Sequence, residues 1–83
     1  MERELKALAN RRRLEVLRYL RDSGRVKVSD IAYKIKISLP ATSRHLIMLE
    51  SAGILEKEQV SLEVFYYLSS RQRSHVREII SIC

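Results

Sequence analysis

The chain has 83 residues, 46% of them hydrophobic, and a net charge of +6. That composition excludes a disordered tail. It leaves one small domain over residues 1–83, whose limited core makes folding alone marginal and a partner subunit useful.

No apolar run reaches the length of a membrane span and no signal-peptide layout opens the chain, so a soluble cytoplasmic protein is expected. The charge is uneven. Residues 1–44 hold 12 Lys/Arg against 5 Asp/Glu, and residues 45–83 hold 4 against 5. A basic half suits phosphate binding, and equally suits a solvated basic surface. The single cysteine, Cys83, excludes an intramolecular disulfide and leaves a free thiol or a bridge between chains.

In chain order, residues 2–9 predict a short helix with Leu5 and Leu8 on one side. Asn10 is a good cap for a second helix over 11–22, where Leu14, Val16, Leu17 and Leu20 supply the apolar spacing. Asp22-Ser23-Gly24 ends it. Val26-Lys27-Val28 alternates and predicts one short strand. Ser29 is the expected cap of a third helix over 30–36, with Ile31, Ala32 and Ile35 inward, and Ile37 fills the turn that follows.

Residues 37–53 carry the most information. Ser38 can accept a backbone N–H at the start of a helix running from Leu39 to Ser51, and Pro40 falls in its first turn, where a missing N–H costs nothing. Thr42, Leu46, Leu49 and Gly53 make an inward stripe, and Gly53 stops the helix. The outer face carries Leu39, Pro40, Ser43, Arg44 and Ile47.

After Gly53 the period changes. Ile54, Leu55 and Lys57, then Val64 to Leu68, predict two strands joined by a loop over 58–62, since no Gly or Asn marks a two-residue turn. Phe65 and Tyr67 share one face and Tyr66 takes the other, which suits core packing better than base stacking. Ser69 and Gln72 form a capping box for a last helix over 70–82, which shows Val76, Ile79, Ile80 and Cys83 on one side.

The predicted order α-α-β-α-α-β-β-α is mainly α with a small β-hairpin wing: a winged helix-turn-helix. In that layout helix 39–51 lies in the major groove of DNA. Arg44 has the geometry for a bidentate guanine contact, Ser43 can bond bases or phosphates, and Leu39, Pro40 and Ala41 can meet thymine methyls. His45 flanks the core stripe and is expected to be structural. Lys34 and Lys36 suit a helix C-terminus and equally a neighbouring phosphate. Arg11, Arg12 and Arg13 open a helix whose dipole they oppose, which makes a phosphate role attractive, although three residues span almost a turn and cannot all face one partner. No nucleophile-base set, glycine-rich phosphate loop or paired carboxylates are apparent, so neither an enzyme nor a cofactor is expected.

The runs Leu5-Lys6-Ala7-Leu8-Ala9-Asn10, Arg13-Leu14, Ser43-Arg44-His45-Leu46, Met48-Leu49, Ala52-Gly53-Ile54-Leu55 and Phe65-Tyr66 resemble ArsR/SmtB-type winged-helix repressors from residue 5 to about 68. The resemblance implies a homodimeric transcription repressor, with Arg13 at a position that often serves in structure. Where many members of that family carry a Cys-x-Cys metal motif before an Asp, this chain has Lys27 and Ser29 ahead of Asp30, so no metal sensor is expected there. For the family's other metal site, only His75, Glu78 and Cys83 are available, and a solvated His–Glu pair is the simpler reading. Family wings carry Arg near the tip; here the positions are Glu58 to Glu63, which grip phosphate poorly and leave Val60 and Leu62 for a protein partner instead. The expected dimer face comprises Leu5, Leu8, Val76, Ile79, Ile80 and Cys83. The alternative to a DNA-binding regulator is a winged-helix module that binds another protein through the apolar wing tip and Ile47.

Overall fold

A computed structural model describes residues 2–70 and 74–82, and in the last helix the side chains of residues 76–81. The elements follow the order α1 (Glu2–Leu8), α2 (Arg11–Ser23), β1 (Val26–Lys27), α3 (Val28–Ile35), α4 (Leu39–Ser51), β2 (Leu55–Val60), β3 (Glu63–Leu68) and α5 (Ser74–Ile82).

Local chemistry sets most of these boundaries. The Asn10 side chain accepts the Arg13 backbone N–H at 3.1 Å and starts α2. Ser38 does the same for α4, accepting from the Ala41 N–H at 3.2 Å. At the other end of α4, Gly53 has φ 79°. Its N–H reaches the Glu50 carbonyl at 2.9 Å, while that of Ile54 reaches Leu49 at 3.0 Å. That bond pair requires a left-handed residue at position 53, which glycine adopts without a Cβ penalty, and it turns the chain straight into β2.

The three strands form one antiparallel sheet in the order β1-β3-β2. Tyr66 sits at its centre, opposite Val26 on one side and Lys57 on the other. The sheet and helices share one apolar cluster. Within it Val16, Leu17, Ile31, Leu46 and Leu49 are wholly shielded from solvent. Thr42 is buried with them, and its hydroxyl donates to the Ser38 carbonyl at 2.8 Å. The inward stripe of α4 is thus Thr42, Leu46 and Leu49, as its spacing predicts, and Gly53 lies just beyond it, exposed.

Three expectations are corrected. First, Ser29 does not cap α3. The helix begins at Val28, directly after Lys27, whose side chain makes no capping bond. Pairing of Val26 and Lys27 with Tyr66 and Phe65 ends the strand one residue earlier than the alternation suggests. Second, the wing has no five-residue loop. The β2–β3 ladder continues to Val60↔Glu63, leaving Ser61 and Leu62 as a two-residue turn. Ser61 takes φ 59°, a conformation usually given to glycine or asparagine. Cross-strand pairing outweighs that local cost. Third, of the residues expected on the dimer face, which a lone protomer would then leave partly exposed, Leu8, Val76 and Ile80 are buried in the protomer's own core. The predicted capping box falls partly on residue 72, outside the described residues, as does Cys83; the described helix starts at Ser74.

Candidate nucleic-acid interface

The outer face of α4 is held out by its inner one. With Thr42, Leu46 and Leu49 fixed inside, helical geometry turns Leu39, Pro40, Arg44 and Ile47 to solvent, with Ala41 and Ser43 at the margin. Leu39 is 52% exposed and Ile47 53%. Single exposed apolar residues are ordinary, but here they stand in a row along one helix, interrupted by its sole Lys/Arg residue, Arg44.

The other sequence-predicted residues divide. Arg11 is open to solvent, with only a long 4.0 Å approach to Glu15. Lys34 lies over the Tyr19 ring, 5.8 Å from its centre. Lys36 is exposed at the end of α3 in a left-handed conformation, φ 60°. Arg12 is engaged inside the molecule: its Nη1 donates to the Ile35 carbonyl at 3.1 Å and pairs with Glu15 at 3.4 Å. It thereby ties the start of α2 to the end of α3.

Arg13, half-buried, is also engaged inside the molecule. Its guanidinium donates to the Ala7 carbonyl and, at 3.2 Å, to that of Lys6, closing the C-terminus of α1. Its Nη1 meets His45 Nδ1 at 3.2 Å. Burial lowers the pKa of Arg13. Burial, and then the charges of Arg13, Arg44 and Arg12, push His45 below its ordinary value of 6.5. The neutral imidazole accepts from Arg13, because a guanidinium has no acceptor to offer. The sequence suggests a structural role for each residue, but not that they meet.

The wing is held by ion pairs. Glu58 on β2 pairs with Arg25, and Glu63 on β3 with Lys27 at 3.3 Å, so these two acidic side chains are answered by β1 and the residue just before it. Arg25 also covers the Tyr67 ring at 5.2 Å. Tyr66 packs inside, its pKa raised mainly by burial, with Lys57 opposing and Glu50 adding to the rise. At the tip Leu62 is 94% exposed and Val60 49%.

Lys27 and Ser29 do not fit a thiolate metal site. Among the described residues no group of three or more His, Cys, Asp or Glu is placed to hold a metal. The side chain of His75 lies outside the described residues. No described helix is long and apolar enough to cross a membrane.

Helices α2, α3 and α4 packed on one apolar core, with a β-hairpin after the last, define a winged helix-turn-helix. Residues 10–57 match the family described as bacterial regulatory protein, arsR family. The chain is 34% identical over 76 residues to the transcriptional activator HlyU of Vibrio cholerae, covering 92% of this chain and 69% of that protein. It belongs to the arsR family of bacterial regulatory proteins, which are transcription regulators and not enzymes.

Solved structures agree on the fold. HlyU from Vibrio cholerae superposes with a TM-score of 0.81 at 35% identity, covering 94% of this chain and 80% of that one. The homodimeric winged helix-turn-helix DNA-binding domain Mb0332 from Mycobacterium bovis gives 0.82 at 30% identity, covering 98% and 71%. The AntR antimony-specific transcriptional repressor gives 0.80 at 26%, covering 95% and 68%.

Proposed function

We propose that this chain regulates transcription by binding duplex DNA as a homodimer, with α4 in the major groove. The observation that carries the reading is the outer face of α4: a solvent-facing row of small and apolar side chains around one arginine, on a helix anchored by Thr42, Leu46 and Leu49. Leu39, Pro40, Ala41 and Ile47 supply apolar contacts to base edges, and Ser43 and Arg44 the hydrogen bonds. Lys34, Lys36 and Arg11 are the phosphate contacts. Arg12, assigned to phosphate on its sequence position, has its guanidinium committed to Ile35 and Glu15 and positions the helices instead.

Kinship supports the same reading. Mb0332 is described as a homodimeric DNA-binding domain. In this chain Leu5 on α1 remains 47% exposed and Ile79 on α5 half-buried, so these two residues form the apolar contact of the dimer. A role on DNA entails a cytoplasmic location. We take the direction of regulation to be repression, as AntR is named a repressor, while HlyU is named an activator. Selection of bound sites from a random duplex pool tests the reading. An inverted repeat supports it, and no enrichment overturns it.

A second reading rests on Leu62 in the two-residue wing turn and Val60 at the end of β2, both exposed to solvent. They suit an apolar protein partner rather than phosphate. Binding that ignores salt and disappears on changing both residues to Ser would favour it.

A further inference from the structure

We propose that the groove between α1 and α4 is a second phosphate site, in which Lys6, supported by Arg3, holds the DNA backbone beside the recognition helix. The inference rests on the DNA reading above and adds an element to the interface.

The groove is lined by Arg3, Lys6 and Ala7 of α1 and by Arg44, Ile47, Met48 and Ser51 of α4. Three of those seven residues are cations and none is a carboxylate; Glu2 and Glu4 of the same helix do not line it. Arg3 has an internal use, since its Nη1 donates to the Ser51 carbonyl at 3.3 Å and so closes the C-terminus of α4. Lys6 has none of that kind. It is exposed, and among the described residues neither Lys6 nor Arg44 makes an ion pair. Like charges gathered in one groove repel one another, and an external polyanion relieves that repulsion.

Position identifies the anion. Arg44 belongs both to this groove and to the outer face of α4, so the cationic strip continues the proposed groove-reading surface without a break. A helix in the major groove has a phosphate strand along each flank. On the wing side, Glu58 and Glu63 cancel Arg25 and Lys27 and offer little net charge. On the other side stand Lys6 and Arg3. The backbone grip therefore shifts from the wing to α1.

The test is titration of a random-sequence duplex at several salt concentrations, with the wild-type protein and the variants Lys6→Gln, Lys6→Arg and Arg18→Gln. Arg18 is an exposed α2 cation in a different groove, where Glu15 and Asp22 stand beside it together with Lys34, and its own loss controls for net charge. Removing one cation from a phosphate lowers the slope of log K against log salt by about one unit. Lys6→Gln is expected to lower it by about that amount per protomer, while Lys6→Arg and Arg18→Gln keep the wild-type slope. If wild type binds with a steep slope and Lys6→Gln matches it, or if Arg18→Gln falls as far, the α1 site is overturned and the DNA reading stands. If wild type binds no duplex, both fall.

Discussion

Arg13 and His45 are 32 positions apart in sequence and 3.2 Å apart in space, Nη1 to Nδ1. The same guanidinium closes the end of α1, so one side chain joins α1, α2 and α4. The contact requires a neutral imidazole.

That requirement makes stability depend on pH. The unfolded chain takes up a proton on His45 near 6.5, whereas the folded chain does so only at lower pH. The contribution is whole above 6.5 and is lost as pH falls from there through the folded value. Urea midpoints measured between about pH 7.5 and 5.5 should fall toward acid, and His45→Gln should flatten the fall. A variant with the wild-type pH profile would contradict the pairing.

The start of α2 hangs on one cap. Replacing Asn10 by Ala removes the acceptor for the Arg13 N–H and should cost about 1 kcal/mol. For a domain of this size that is a fall of about 4–8 °C in Tm. A loss within error would mean that Arg13, through its side chain, already fixes the turn.

Dimerisation can be probed without touching the core. Leu5→Glu changes an exposed residue, and should give a folded monomer in sedimentation equilibrium where wild type is a dimer. Ile79 packs partly on the protomer core, so a charge there would also unfold the chain. A wild-type protein that stays monomeric at high concentration refutes the dimer.

Much of this is legible in the sequence because it depends on short-range signals. Asn10, Ser38, Pro40 and Gly53 act within four residues of themselves, and the stripe Thr42, Leu46, Leu49 follows from helical period alone. Two of the corrections concern elements settled by distant strands, and the third, the burial of Leu8, Val76 and Ile80, comes from helices packing on one another's apolar sides. The end of β1 and the start of α3 depend on pairing with Tyr66 and Phe65, some forty residues on. The tight turn at Ser61 depends on the ladder behind it rather than on its own residue type. Of the proposed interface, the outer face of α4 can be read from its pattern. The commitment of Arg12 to Ile35 cannot, since nothing local distinguishes it from Arg11. Lys6 escapes a sequence reading for the same reason: α1 carries charges of both signs, and only packing against α4 separates them.

In the proposed complex α4 reads DNA and Arg44 is its polar reader. The measurement is affinity for a selected duplex and a random duplex, at one fixed salt concentration, for wild type, Arg44→Ala and the double variant Val60→Ser/Leu62→Ser. Arg44→Ala should cost roughly 1–3 kcal/mol on the selected site and relax base preference at one position per half-site. The half-sites should lie about one turn, ~34–36 Å, or a multiple of it, apart. The wing variant should bind like wild type. Wild-type affinity in Arg44→Ala, together with abolished binding in the wing variant, would place DNA on the wing and not on α4.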